Sequence, residues 1–272
     1  VAIDSGVDRL ITHAGVGDQD IEAIVHGGIF TRGPKDLKST AIFIGGSDVE
    51  KVERLLTKVR SSFFGPMKTS VLSDPNGSNT TAAAAVLCVQ KHIQLAGTSI
   101  TILGGTGPVG RRIAEIIDHV VGSGAEGTRI QIGSRTLEKA ESLCSSLTST
   151  DSNVTLVPIE VKDDFAASQA VIESDILFAA GAAGVQLISQ TWHNSRVKIA
   201  VDLNAVPPVG IPGIELADDG QERNGKILYG AIGVGGLKMK IHRRSIASLF
   251  ESNDQILDTK GVYDLGAKLL NE

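Results

Sequence analysis

Cysteine, long apolar runs and an excess of basic charge are all missing or scarce in this sequence, and each absence closes off a class of protein. The two cysteines, Cys88 and Cys144, show no CxxC and no metal-type spacing. A disulfide framework and a structural zinc site are therefore not expected, and both residues read as free buried thiols in a reducing compartment. No run reaches the ~18 apolar residues that span a bilayer, and no signal peptide is visible. A cytoplasmic protein without a membrane partner is the expectation. The net charge of −5 offers no electrostatic footprint for nucleic acid. The six histidines, His13, His26, His92, His119, His193 and His242, are scattered without metal spacing. They read as structural or surface residues, and Trp192 as packing.

What is present suffices for a core. Of 272 residues, 42% are apolar and 21% charged, and the 31 glycines follow no collagen period and form no Gly/Ser tract, so disorder is not expected. The length fits one large or two modest domains. The chain begins at Val1 and enters directly into Val-Ala-Ile-Asp-Ser-Gly, which reads as an element already under way, so further residues are expected upstream.

Up to about Leu95, strand and helix signals alternate. Residues 41–44 read as a buried strand closed by Gly45-Gly46. Asp48 can cap a helix carrying Val49, Val52, Leu55, Leu56 and Val59. Residues 68–72 read as a second strand, and Asp74-Pro75-Asn76-Gly77 is turn chemistry. Ser78 to Thr81 then open an Ala-rich helix running to about Ile93. From Thr98 the pattern is βαβ: strands at 100–103, 129–132, 154–157, 175–178 and 198–202, with helices over 109–121, from Thr136 to about Leu147, and over 165–173. A Pro/Gly-rich stretch spans 207–213. A long helix over 237–251 and a short one near 261–270 close the chain. This alternation predicts an α/β protein with parallel sheets covered on both faces. It comprises a Rossmann-type nucleotide domain over 96–240 and a smaller α/β substrate domain over 1–95, onto which 241–272 pack back.

Gly105, Gly107 and Gly110 form G-x-G-x-x-G, with Thr106, Pro108 and Val109 between them. The pattern follows a predicted strand and opens a predicted helix, the context a dinucleotide fingerprint needs. Gly105 would allow the tight turn, Gly107 the approach of the pyrophosphate, and Gly110 close packing of helix on strand. The helix N-terminus would offer free N–H groups and its positive dipole end to the phosphates. Pro108 fits there, because its missing N–H would have been free anyway. The bland alternative is a plain tight turn.

NAD-binding units place a carboxylate at the end of the second strand, for the ribose 2′-hydroxyl. Here stand Gly133-Ser134-Arg135-Thr136. Arg135 can meet a 2′-phosphate with its planar fork, and Ser134 and Thr136 can donate further hydrogen bonds, so NADP is the expected cofactor. A solvated loop arginine is the competing reading, and nothing here repels the 2′-hydroxyl of NAD. Ligands lie outside the carboxyl ends of parallel strands. Ala180 and Gly181 in the small-residue run 179–184, and Asn204 in 202–205, are the further cofactor candidates. Small residues at strand ends are also common in ordinary turns.

The motifs resemble those of the NADP-dependent methylene-tetrahydromethanopterin dehydrogenases of bacterial C1 metabolism. Five stretches carry the likeness: 26–33 (HGGIFTRG), 39–46 (STAIFIGG), 76–84 (NGSNTTAAA), 105–110 (GTGPVG) and 230–240 (GAIGVGGLKMK). They run in order along almost the whole chain, and the second, third and fifth are not general Rossmann features. The family's first strand and part of its first helix have no counterpart before Val1. The resemblance implies hydride transfer between methylene-tetrahydromethanopterin and NADP, giving the methenyl pterin, with methylene-tetrahydrofolate or NAD accepted by some members. It also implies a homo-oligomer, with the substrate in the cleft between two domains. In that reaction two nitrogens share the positive charge left when hydride departs, and no proton need move. The protein's task is to hold the donor carbon against the nicotinamide, an orientation effect worth up to about 7–11 kcal/mol.

Against that reaction, Ser78, Asn79, Thr80 and Thr81 are candidates to read the pterin edge, although one of them would cap the helix in any case. Lys238, beyond the segment Gly233-Val234-Gly235-Gly236, is the candidate catalytic-site lysine. Its role would be to bind and orient the pterin, since a cation would not stabilise a cationic product. Lys240 is the second choice. Thr31, Arg32, Lys35 and Lys38 fit an acidic substrate tail or a solvated loop equally. The competing functions are a shikimate-type or methylene-tetrahydrofolate NADP dehydrogenase, or a non-catalytic NADPH sensor.

Overall fold

The computed structural model describes residues 1–122, 127–148 and 152–271. In chain order the elements are α1 (Ile21–Ile29), β1 (Ala41–Ile44), α2 (Val49–Ser61), β2 (Ser70–Ser73), α3 (Ser78–Gln90), β3 (Ser99–Leu103), α4 (Pro108–Val121), β4 (Thr128–Ser134), α5 (Leu137–Leu147), β5 (Val154–Glu160), α6 (Asp164–Val171), β6 (Ile176–Ala179), β7 (Ile199–Asp202), β8 (Asp219–Arg223), β9 (Lys226–Tyr229), α7 (Ala231–Ser248), β10 (Ile256–Leu257) and α8 (Thr259–Asn271). The chain divides into two compact units, one of residues 1–80 with 238–272 and one of 81–237. The divisions fall inside α3 and α7, not at 95/96 and 240/241 where the sequence pattern changes.

The first unit holds a three-stranded sheet in the order β1-β2-β10, parallel throughout. Its core joins Ile21, Val25 and Ile29 of α1 to Val52, Leu55, Leu56 and Val59 of α2 and to Val71 of β2. The α2 residues recur at helical spacing, which is why that helix forms with one apolar face. Asp48 caps it as expected, its Oδ1 accepting the Lys51 N–H at 2.9 Å, a contribution of about 1 kcal/mol. The two-residue strand β10 was not visible in the sequence; Val71 N–H donates to Gln255 O and docks it.

The second unit is a seven-stranded sheet, β5-β4-β3-β6-β7-β9-β8. All neighbours are parallel except β8, which runs antiparallel to β9. Order reverses between β3 and β6, the topological switch point of a doubly wound nucleotide-binding sheet. Its central strands are buried on both faces, as Ile176–Ala179 and Ile199–Asp202 show, which is what helix-covered parallel strands require.

In the C-terminal half one reading is corrected and one element is added. The β8–β9 hairpin, in a segment for which the sequence carried no expectation, turns on Asn224 and Gly225, both with positive φ. The helix expected from 237 begins at Ala231, so the glycine segment before Lys238 is helical. Its glycines serve close approach. A Cβ on Gly230 would lie 2.0 Å from Glu215 O, and one on Gly233 would lie 1.9 Å from Asp218 O. The N-terminus of α7 is thereby capped by backbone: Gly230 N–H donates to Asp218 O, and Ile232 N–H to Leu216 O, each at 2.8 Å. Asp218 is itself held by Arg223, whose two Nη atoms each donate at 2.6 Å. Gly233→Ala should therefore lower stability by more than about 3 kcal/mol, read from the urea midpoint. A change within about 0.5 kcal/mol, the range of an inert surface change, would refute the close contact.

Candidate active site

At the switch point, β3 runs into Gly104, the residue with positive φ (+72°). The tight turn thus falls on Gly104 and not on Gly105, as the fingerprint alone suggested. A Cβ on Gly104 would stand 2.7 Å from Gly181 Cα, and one on Gly110 would stand 2.6 Å from Gly105 Cα. A Cβ on Gly105 would lie 3.0 Å from Ile102 O, and one on Gly107 would meet Gly104 O at 3.3 Å and Ala180 O at 3.4 Å, a close but less severe contact. The turn and the Ala180-Gly181 segment therefore lie backbone against backbone. Gly107 is the extended N-cap of α4, Pro108 opens the helix, and no side chain caps it. The first intrahelical donor is Arg111 N–H, to Gly107 O at 3.0 Å. The N–H groups of Val109 and Gly110 fall among the orphan donors of a helix start, in the position an anion takes.

The loop after β4 stands beside this turn. Thr106 Oγ1 donates to Ser134 Oγ at 3.4 Å, and the same oxygen accepts Thr136 N–H at 3.3 Å. Ser134 thus supports the turn into α5, and Thr136 stands at the N-cap as expected but its side chain makes no cap bond. Arg135 is exposed, and no hydrogen bond or ion pair engages its guanidinium among the described residues. Its freedom is what an anion-binding role needs.

Asn204 is placed differently from expectation. Its Oδ1 accepts Gly184 N–H at 3.1 Å and Val206 N–H at 3.0 Å, and its Nδ2 donates to Pro208 O at 2.9 Å. The side chain is committed to shaping the 204–208 loop, which contains the cis Pro207-Pro208 bond, and to fastening it to the segment after β6. Beneath it Asp202 is buried, accepting Asn204 N–H at 2.9 Å and Ile211 N–H at 2.8 Å. Burial pushes its carboxyl up, against those backbone donors.

In the first unit a second cluster forms around the turn before α3. Ser78, Asn79 and Thr80 are buried, and most of their polar atoms are already engaged. Ser78 Oγ donates to Pro75 O at 2.7 Å, and Asn79 Nδ2 to Ser73 O at 2.7 Å. Thr259 Oγ1 donates to Asn79 Oδ1 at 3.2 Å, and Thr80 Oγ1 to Asp74 Oδ2 at 2.7 Å. Thr81 alone of the four is partly exposed. The positive φ of Asn76 and Gly77 brings this turn against α7. A Cβ on Gly77 would stand 2.9 Å from Lys238 Nζ. Lys238 is half-buried, whereas Lys240 is exposed, so geometry separates the two candidates. One turn on from Lys238, His242 places Nδ1 3.9 Å from Asp74 Oδ2 and stacks on Phe43, with ring centroids 6.2 Å apart. Sequence reasoning passed over Asp74, His242 and Phe43. The i, i+4 spacing of Lys238 and His242 on one helix was the available signal. Arg32, Lys35 and Lys38 are exposed and form no hydrogen bond or ion pair with this cluster among the described residues. No group of three metal-ligating side chains occurs among the described residues, and no described helix is long and apolar enough to cross a membrane.

Sheet order and glycine turn define a Rossmann-type protein. Residues 1–76 match the family described as methylene-tetrahydromethanopterin dehydrogenase, N-terminal. Two relatives from Methylorubrum extorquens cover 99% of this chain and 92% of their own length: the "Bifunctional protein MdtA" at 40% identity, and an "NAD(P)-dependent methylenetetrahydromethanopterin dehydrogenase" at 30%. The chain belongs to the methylene-tetrahydromethanopterin dehydrogenase family. Among solved structures, a transhydrogenase from Sinorhizobium meliloti is similar at 11% identity and a TM-score of 0.47, over 93% of this chain and 89% of that one.

Gly110→Ala tests the turn. Its Cβ must push apart the loop that frames the orphan amides, so dinucleotide affinity measured by calorimetry should fall at least about tenfold. Unchanged affinity would contradict the geometry.

Proposed function

We infer that this protein transfers a hydride between methylene-tetrahydromethanopterin and NADP, producing the methenyl pterin. The observation that carries the cofactor half is the pairing of an uncapped glycine-turn helix with a free guanidinium at the end of the neighbouring strand. The residues present fit a dinucleotide. Val109 and Gly110 N–H groups would bind the pyrophosphate, and Ala180 and Gly181 leave room for the nicotinamide ribose. Arg135 would bind the 2′-phosphate through charge-assisted hydrogen bonds, with Ser134 holding the loop that presents it. When bound, NADP supplies the hydride acceptor. NAD, which lacks the 2′-phosphate, would forgo the Arg135 contact and still seat its pyrophosphate.

On the substrate side, Lys238 would bind and orient the pterin, with Ser78, Asn79 and Thr80 shaping the wall behind it. Oxidation leaves an amidinium cation whose charge is shared by two nitrogens, so no acid–base residue has to act. Catalysis by this chain is alignment of the donor carbon. The same reading includes tetrahydrofolate as an accepted carrier, a homo-oligomeric assembly and a cytoplasmic setting, in line with the family resemblance.

The test is a spectrophotometric matrix of NADP or NAD against methylene-tetrahydromethanopterin or methylene-tetrahydrofolate. Reduced nicotinamide should appear with the first pterin and NADP, and no turnover of either pterin would sink the proposal. In the same assay Arg135→Ala should raise KM for NADP about tenfold or more and change that for NAD less than twofold. Equal losses with both would remove Arg135 from its assigned place.

A further inference from the structure

Asp74 has a side chain with 0% exposure, and it does more than a helix cap requires. Its Oδ1 accepts the N–H groups of Asn79 at 2.9 Å and Thr80 at 3.2 Å. Those two bonds complete the cap, and a neutral Ser or Asn would supply them equally well. The other oxygen, Oδ2, accepts the Thr80 hydroxyl at 2.7 Å and faces His242 Nδ1 at 3.9 Å. A buried full charge costs more than a neutral cap unless something compensates it, so the carboxylate is matched to the second pair of partners.

The imidazole is held from two sides. Asp74 faces Nδ1, and Phe43, itself 52% exposed, stacks at an interplanar angle of 27°. The charged side chains acting on the ring are Asp74 and Lys238, one turn earlier on α7. Burial disfavours the imidazolium most; Asp74 favours it, and Lys238 opposes it. The ring is therefore neutral at pH 7. A facing carboxylate selects the tautomer with the proton on Nδ1, which leaves Nε2 as a bare acceptor.

We propose that Asp74 is a positioning residue of the pterin site: its buried carboxylate fixes the Thr80 hydroxyl and the Nδ1–H tautomer of His242, so that Nε2 accepts from the N–H edge of the pterin. This rests on the dehydrogenase reading. A neutral, acceptor imidazole tolerates the cation that hydride departure creates, whereas an imidazolium would repel it.

The decisive experiment reads His242 directly. In protein labelled with 15N-histidine, the wild-type shifts should report the Nδ1–H tautomer, and Asp74→Asn should move the His242 titration to lower pH, because the one group favouring the imidazolium is gone. An Nε2–H tautomer in the wild type, or a titration unmoved by the substitution, overturns the proposal. Neither readout requires turnover, so failure here is distinguishable from failure of the dehydrogenase assay. In kinetics, Asp74→Asn and the cap-preserving Asp74→Ser should each lower kcat about tenfold, with KM for NADP changed less than twofold. Asp74→Asn combined with His242→Asn should lose little beyond the larger single effect. Losses that multiply as for independent sites would contradict the coupling.

Discussion

The dinucleotide half of this protein depends on the absence of side chains at a few backbone crossings. Between β3, the start of α4 and the segment after β6, main chain approaches main chain at distances no Cβ tolerates: 2.7 Å at Gly104 and 2.6 Å at Gly110. That closeness brings the orphan amides of α4 and the Ala180-Gly181 backbone to one spot at the reversal of strand order. It also explains why neighbouring polar side chains serve the loops rather than a ligand. Asn204 and Asp202 fasten the strand-end loops, and Ser134 supports the turn into α5. What is left open is backbone N–H at the helix start and the guanidinium of Arg135, donors suited to phosphate.

The same device recurs at α7. Gly230 and Gly233 press the helix onto the carbonyls of 215–218, which satisfies its first N–H groups and fixes its register. Close backbone packing thus works twice, once to expose amides at α4 and once to consume them at α7. That contrast separates a helix start prepared for an anion from one that is purely structural.

Much of this was legible in the sequence. The five strands from 100 to 202, the helices between them and the glycine turn followed from apolar periodicity and position. Packing decided the rest. The Asn224-Gly225 hairpin carried the strongest short-range signal for paired strands, but its strand β8, Asp-Gly-Gln-Glu-Arg, has no apolar alternation. β10 is two residues long and exists through pairing with β2. The start of α7 was hidden because glycine counts against helix in propensity terms, while tertiary contact demanded it. At the site, the cofactor residues could be read because their roles are backbone roles at fixed spacing. Asp74, His242 and Phe43 could not be grouped, since they come from three separate elements and converge only in the fold.

The most direct measurement is a crystal structure of the protein soaked with NADP. The account predicts the pyrophosphate on the N–H groups of Val109 and Gly110 and the 2′-phosphate within hydrogen-bond distance of Arg135. An adenosine bound elsewhere, or Arg135 pointing into solvent beside an ordered 2′-phosphate, would contradict it.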